Sequence, residues 1–220
     1  MSKQPLIKRV SAIQDELQRL NNALYAMSTA DIQRYPDNYE ALSTDAALLA
    51  EKVACQLRHL IYTTTLTKPG DYLPSAASVQ GIEVREKDGT IEITLPGLLP
   101  KRKQRQNAEF LLDPFNAALS HFAAEHPVPR FQHCVVCFCS VYDRTLSERR
   151  VRDYDNLELK RLLDVAASYL LTDDTGLLLD TYHTTELGDA DCTRIVIMPS
   201  TRLSAWLEER QAGLQSITDL

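Results

Sequence analysis

The sequence lacks several features that would place it in a special class of protein. No apolar run among its 220 residues approaches the roughly 20 residues of a transmembrane helix. The first residues, "MSKQPLIKRV", lack the apolar core of a secretory signal. Internal repeats and low-complexity tracts are also missing. These absences favour an ordinary globular protein, and we expect it in the cytoplasm.

Excess positive charge and a disulfide framework are absent too. The formal net charge is −6, which disfavours broad nonspecific nucleic-acid binding but leaves room for a local basic groove. The five cysteines are an odd number, and three of them crowd into "HCVVCFC". On a strand, Cys137 and Cys139 would share one face and Cys134 would lie on the other. We therefore expect free buried thiols rather than a zinc site.

The N-terminal third has the apolar periodicity of two helices. In the first series the apolar residues alternate at spacings of four and three: Leu6, Val10, Ile13, Leu17, Leu20, Leu24 and Met27. The second series consists of Leu42, Ala46, Leu49, Val53, Leu57 and Leu60. Pro36 lies between them, where a proline ends one helix or opens the next. We expect an antiparallel helical hairpin from about Pro5 to about Thr63, used for packing, dimerisation or partner contact. The alternative is that one helix packs on the main domain.

A stretch rich in Pro, Gly and Ser, "TKPGDYLPSAASVQG", predicts a linker after these helices. We therefore divide the chain into a helical hairpin at residues 1–75 and an α+β domain at residues 76–220. Beyond the linker, two short alternating runs flank Asp88-Gly89, which is typical of a β-hairpin.

The remaining segments alternate between helix and strand. "NAEFLLDPFNAALSHFAAEHP" predicts a helix interrupted near Pro114, and the apolar "FQHCVVCFCSVYD" predicts a buried strand. A helix is expected from Asn156 to Leu171, then two strands joined at "LGDAD", then an amphipathic helix around "TRLSAWLEERQ". This order predicts the α+β class with a mixed sheet. Within it His183 could contact a phosphate, although we expect it to be surface or core filler, and we expect Trp206 to be a core anchor.

Carboxylates lie at both ends of the helix expected after the buried strand. Asp153 and Asp155 precede it, and residues two apart in extended chain point to the same side. Asp155 or Asn156 also suits the helix N-cap. Asp173 or Asp174 supplies a third acid if the chain reverses after the helix. Three carboxylates without histidine would make an oxygen-only site that suits Mg²⁺, or Mn²⁺ in its place.

Two basic runs accompany these acids. The first contains Lys101, Lys103 and two arginines, and the second contains three arginines directly before the acids; the arginines are Arg102, Arg105, Arg149, Arg150 and Arg152. Either run taken alone is readily explained as a solvated loop. Together, beside a carboxylate group, they favour contacts with phosphates.

The stretch "RRVRDYDNLELKRLLDVAASYLLTDD" resembles the signature of the RusA family of Holliday-junction resolvases. That signature has basic residues, then Asp-x-Asp-Asn-Leu, a lysine on the helix, and a closing Asp-Asp before a strand. Upstream, "TIEITLPGLLPKRK" resembles the opening strand of the family with its Leu-Pro-x-x-Pro loop. The resemblance covers about Gly89 to Met198 and leaves the N-terminal hairpin without a counterpart.

The resemblance implies a RusA-like sheet and a homodimeric, Mg²⁺-dependent endonuclease that cuts branched DNA. By position, Asp153, Asp155 and Asp174 would be the metal ligands, and Lys160 would lie near the scissile phosphate. The lysine departs from the pattern, because the family places it four residues after the second Asp, where this chain has Leu159. The alternative is a RusA-like module that binds DNA or an assembly without cutting, with the helical hairpin as its partner surface.

Overall fold

A computed structural model describes residues 3–64, 68–99, 106–126, 130–146, 151–154, 157 and 159–218. The chain divides into two compact units, Met1–Pro69 and Gly70–Leu220, whereas the sequence-based division put the boundary after residue 75. In the part of the chain described, no helix has the length and apolar character needed to cross a membrane. The protein has the predicted α+β class, with helices preceding a mixed sheet.

The first unit is the expected helical hairpin. Helix α1 spans Lys3–Thr29 and helix α2 spans Pro36–Thr64. The two helices run antiparallel, since Lys52 Nζ lies 2.6 Å from Glu16 Oε1, near the middle of both helices, while Arg9 donates to Thr63 Oγ1 at 3.2 Å. Asp31 orders the connection by accepting from two backbone N–H groups that follow it. Pro36 opens α2, where its missing N–H is not needed.

The predicted linker is wrong, because residues Pro69–Gln80 form helix α3. Ala76 and Ala77 are buried, and Ala77 belongs to the main core of the second unit. Proline at the first helical position is tolerated, since the N–H that it lacks has no helical acceptor. The helix ends at Gly81, which has φ of +83°, and Ile82 N–H then bonds back to the carbonyl of Ala77. Burial of this small-residue face therefore outweighs a composition that is typical of loops.

The second unit is built on a five-stranded sheet in the order β1-β2-β5-β3-β4. The strands are β1 Glu83–Lys87, β2 Thr90–Pro96, β3 Cys134–Asp143, β4 Leu179–Gly188 and β5 Cys192–Pro199. All neighbours pair antiparallel except β3 and β4, which are parallel with Cys134 opposite Leu179. Asp88 and Gly89, both with positive φ, make the β1–β2 turn that the sequence predicts.

Helices cover both faces of this sheet. Helix α4 (Gln106–Glu125) and helix α5 (Lys160–Leu170) contribute to the larger core, which includes Phe115, Phe138 and Ile197. Helix α6 (Leu203–Thr218) lies on the opposite face, where Trp206 packs against the small cluster containing Cys137 and Met198. This double coverage explains why β3 is buried almost from end to end.

Two helix predictions need correction. Helix α4 runs through Pro114 without the expected interruption. Helix α5 begins at Lys160 rather than at Asn156, and Leu159 occupies its N-cap without a side-chain hydrogen bond. Leu157 is non-helical and buried in the main core. Burial of this side chain in the core competes with continuing the helix towards its N-terminus, so the N-cap falls at Leu159 and not at the predicted Asp155 or Asn156.

Candidate nucleic-acid and metal site

The segment after β3 is tied back to the sheet through Arg152. Its backbone N–H donates to the hydroxyl of Tyr142 at 3.0 Å, and its guanidinium Nη1 donates to the carbonyl of Leu99 at 3.3 Å. Leu99 is buried and follows β2 by three residues. The arginine therefore joins the segment before Asp153 to the segment that leads into Lys101.

Tyr154 provides a second anchor next to Asp153. Its hydroxyl lies 2.8 Å from Thr185 Oγ1 on β4, and its ring stacks on His183 with centroids 5.4 Å apart. Phe138 stacks on the His183 ring at 5.6 Å. Burial lowers the pKa of His183, which favours the neutral imidazole. Asp153 itself is exposed beside this aromatic stack.

Lys160 lies at the first residue of α5 and is exposed. Its Nζ is 3.7 Å from Asp164 Oδ1, one turn along the helix. Both partners reach solvent, so this ion pair is weak and easily exchanged for a phosphate. Because α5 begins here, Leu159 and Lys160 both lie at the helix entrance, and the one-residue shift of the lysine moves it little along the chain.

Arg130 closes the other end of α5, a role that the sequence analysis missed. Its guanidinium donates to the carbonyls of Ser168 at 2.8 Å and Leu171 at 3.1 Å. A cation that bonds the last carbonyls of a helix satisfies them and interacts favourably with the helix dipole. The contact spans about forty residues of sequence, so no local pattern announces it.

The acids after α5 are exposed. Asp173 accepts a hydrogen bond from Thr175 N–H at 3.3 Å, which is the turn role typical of this residue. Asp174 follows it in the loop that leads to β4. The positive guanidinium of Arg130 lies near the same helix end and offsets part of the unfavourable interaction between these acids and the dipole.

The sheet topology bears on whether the predicted acids meet. Because β3 and β4 are parallel, the segment after β3 and the segment before β4 start at opposite ends of these strands. Tyr154, next to Asp153, bonds to Thr185 near the C-terminal end of β4, whereas Asp174 precedes the N-terminal end of that strand. Among the described residues, no group of three acids, histidines or cysteines is placed to hold a metal ion.

The other predicted site residues lie outside the described part of the chain. They comprise one acid and six basic residues, namely Asp155, Lys101, Arg102, Lys103, Arg105, Arg149 and Arg150. The metal group that combines Asp153, Asp155 and Asp174 therefore remains a prediction, as does the full basic surface. The described residues alone do not assemble a magnesium site.

The cysteines of β3 follow the predicted alternation. Cys134 faces the main core, whereas Cys137 packs in the cluster on the opposite face. Both are free thiols, and burial raises the pKa of Cys134 to about 11 and that of Cys137 to about 12. They therefore stay protonated near neutral pH and are poor nucleophiles.

A cavity of about 400 Å³ lies between the second sheet face and α6. Its most buried charges form a triad in which Glu186 accepts from Arg210 Nε at 2.7 Å and from Arg194. Arg210 also donates to the carbonyl of Thr185 at 3.1 Å. The triad joins β5, β4 and α6, and the sequence analysis missed it because its members come from three separate elements.

The comparisons with known proteins place the chain in a family without assigning an activity. Among solved structures, the chain is similar to the periplasmic domain of MotB from Helicobacter pylori (residues 90–256), with 11% identity and a TM-score of 0.32 over 59% of this chain and 86% of that one. A likeness this weak carries no functional conclusion. No curated protein shows significant sequence similarity to the chain. The profile of a family described as of unknown function, DUF6100, matches residues 2–220, and the chain belongs to this family.

Proposed function

We propose that this chain is a RusA-like protein that binds branched DNA and cuts it with the help of Mg²⁺. The metal ligands would be Asp153, Asp155 and Asp174, and Lys160 would approach the scissile phosphate. The protein would act as a homodimer on DNA in the cytoplasm. The resemblance of residues 149–174 to the RusA signature is the origin of this proposal.

The order of elements supports it. The resemblance implies an opening strand followed by a basic loop, a helix, a buried strand, a second helix and a final pair of strands. The chain has β2, α4, β3, α5 and the β4–β5 pair in that order. The acidic and basic motif residues accordingly fall in the connections at either end of α5 and after β2.

The hydrogen bond from Arg152 to the carbonyl of Leu99 is the observation that carries the DNA-binding part. Residues 149–152 form one basic run, and residues 101–105 contain the other. The bond brings Arg152, the last residue of the first run, next to Leu99, two residues before the second run, although the two residues are about fifty apart in sequence. Basic runs that continue from these two joined positions would suit a phosphate backbone better than either run alone.

The residue types at the site indicate how the proposed cleavage of a phosphodiester would work. A magnesium ion held by carboxylates would activate water and stabilise negative charge on a phosphate. Lys160 is exposed and only weakly engaged by Asp164, so its ammonium is free to move towards a phosphate. Arg152 would act as a positioning residue, because both of its hydrogen bonds go to the protein itself.

A second candidate is a module that binds branched DNA without cutting it. The parallel pairing of β3 with β4 favours this alternative, because it starts the Asp153 and Asp174 segments at opposite ends of these strands. If Asp153 stays near the C-terminal end of β4, where Tyr154 bonds to Thr185, the acids cannot share one ion. Binding through the two basic runs would then be the remaining function.

The test is a four-way DNA junction incubated with the full chain, with and without Mg²⁺. We expect cutting only with the ion, and we expect Asp155→Asn to abolish cutting while it preserves binding, because it removes a metal ligand and a charge that repels phosphate. Lys103→Ala with Arg105→Ala should reduce the slope of log affinity against log salt by about one unit per lost phosphate contact. Arg85→Ala, on the exposed strand β1, is the matched control and should leave the slope unchanged.

The outcomes separate the two candidates. Junction binding without cutting by the unaltered chain, and a salt slope that responds to the Lys103 and Arg105 changes, would favour the non-catalytic module. Equal binding of the unaltered and the doubly substituted chain would remove the basic surface from the proposal. If the chain neither binds nor cuts junction, fork or duplex DNA, the resemblance is one of fold alone.

A further inference from the structure

The helical hairpin buries very little apolar surface within itself. Of the described residues in Met1–Pro69, the buried apolar side chains are Ile13, Ala46 and Val53. The fourth buried residue, Glu16, is charged and bonds to Lys52. Two helices of this length gain most of their stability from packing of an apolar face rather than from intrinsic propensity. The hairpin therefore has apolar surface that its own two helices do not bury.

The unused apolar residues of α1 form one stripe. Leu6, Val10, Leu17 and Leu24 are all exposed, with exposed fractions of 37% to 50%. At 100° per residue they point within about 40° of each other around the helix axis. The side of α1 that meets α2 contains Ile13, Glu16 and Leu20, and the buried Ile13 lies only about 20° from Leu6 and Leu24 around the axis. The stripe is thus the exposed flank of an apolar band that α2 covers only in part.

Helix α2 continues this face with small residues. On the same side of the hairpin it presents Ala47, Ala50 and Leu57, all exposed. The Lys52–Glu16 ion pair and the groove lined by Cys55 and His59 lie on the other side. None of the residues that form the face carries a charge. Bulky side chains from α1 thus stand beside a shallow, alanine-lined strip of α2.

We propose that a second copy of this chain packs its hairpin against this face and forms a four-helix bundle with two-fold symmetry. In such a contact the leucines of α1 in each copy lie over the alanines of α2 in the other, so one face supplies both the protrusions and the recesses. An uncharged, self-complementary face is matched by its own copy and would leave a charged partner surface unpaired. Knobs-into-holes packing of this kind is the ordinary geometry of helical bundles.

The size of the face is sufficient for a dimer. The stripe from Leu6 to Leu24 is about 27 Å long, and two adjacent helices are about 20 Å wide. The face therefore offers about 540 Å² on each copy, and the total of about 1,100 Å² just exceeds the roughly 1,000 Å² expected of a specific interface.

The test measures the molar mass of the full chain in solution by analytical ultracentrifugation over a range of concentrations. We expect twice the mass of one chain at micromolar concentration. Leu17→Asp and Leu24→Asp should each raise the dimer dissociation constant by about a hundredfold or more, because each substitution removes one buried leucine from both copies. Leu48→Asp is the matched control: Leu48 is also an exposed leucine, at 55%, but it lies on the opposite side of α2.

Trp206, the only tryptophan, reports the folding of the sheet unit, and far-UV circular dichroism reports whether the hairpin keeps its helices. Unchanged circular dichroism and Trp206 fluorescence in the Leu17 and Leu24 variants, together with loss of the dimer, support the proposal. The proposal is overturned if the unaltered protein still has the mass of a single chain at about 100 μM. A dimer that survives both substitutions but is lost with Leu48→Asp overturns it as well, because the contact would then use the other side of the hairpin.

Discussion

The two units of this chain use their apolar residues in opposite ways. The sheet unit places most of them inside, in a core that includes Ile91, Phe115 and Ile197 with no measurable exposure. Among the residues whose burial the structure describes, the hairpin unit holds only three of the buried apolar residues but ten of the fifteen large apolar residues that are exposed. A sheet covered by helices on both faces can bury everything within one chain, whereas two helices alone cannot. The hairpin therefore leaves a larger share of its apolar residues exposed than the sheet unit does.

The ion pairs of the two units also differ in how far they are exposed. In the hairpin, the Lys52 side chain that pairs with Glu16 is half exposed, so solvent screens the pair. In the sheet unit, the Glu186 and Arg210 side chains are both mostly buried, at 12% and 16% exposure. Removing one partner of a buried ion pair costs far more stability than removing one partner of an exposed pair. The two units should accordingly respond differently to the loss of a single charge.

Truncation gives the largest expected effect. Removing residues 1–68 should leave the sheet unit folded, because α3 and its buried Ala76 and Ala77 are retained. Removing residues 1–80 also deletes α3, exposes part of the main core and should lower the free energy of unfolding by about 2–4 kcal/mol relative to the shorter truncation. Urea denaturation followed by Trp206 fluorescence measures both. Equal stability of the two truncated chains would contradict the assignment of α3 to the sheet unit.

Loss of one buried charge should have the next largest effect. Glu186→Gln leaves Arg210 and Arg194 without their shared carboxylate and should cost about 2–3 kcal/mol of stability, somewhat below the range for fully buried pairs. Glu209→Gln is the control, since this exposed carboxylate bonds to Arg202 on the surface, and it should change stability by less than about 0.5 kcal/mol. A Glu186 variant as stable as the Glu209 variant would mean that the triad is solvated.

Sequence reasoning predicted the strands better than the connections. The alternation of β1 and β2, the apolar run of β3 and the glycine-bearing turn at Asp88-Gly89 are local signals, and each one survives in the structure. Helix α3 escaped prediction because its Pro and Gly content is typical of a loop, while its burial depends on residues far away in sequence. The start of α5 was placed too early for the same reason, since the burial of Leu157 is a tertiary effect.

The candidate site shows the same division. The types of its residues could be read from the sequence, because acids, arginines and a lysine occur at motif spacings. Their positioning could not, because Arg152 meets Leu99, Arg130 caps α5 and Tyr154 reaches Thr185 across long separations. The parallel pairing of β3 with β4 is likewise invisible in local patterns. Whether Asp153 and Asp174 meet depends on these long-range contacts.

The smallest predicted effect is that the two units lose stability at different pH values during acid titration. Burial lowers the pKa of His183 from 6.5 in the sheet unit, so the unfolded chain binds a proton that the folded unit resists. This contribution to stability is present above pH 6.5 and is lost as the pH falls towards the folded pKa. The hydrogen bond from Lys52 lowers the pKa of Glu16 from 4.5 in the hairpin, and that contribution is lost only below pH 4.5.

Trp206 fluorescence should therefore report weakening of the sheet unit at a higher pH than the pH at which far-UV circular dichroism reports loss of hairpin helix. His183→Phe keeps the aromatic stack and should remove the first step alone, whereas Glu16→Gln should remove the second alone. A single transition at one pH in all three proteins would mean that neither group sets the acid response of its own unit.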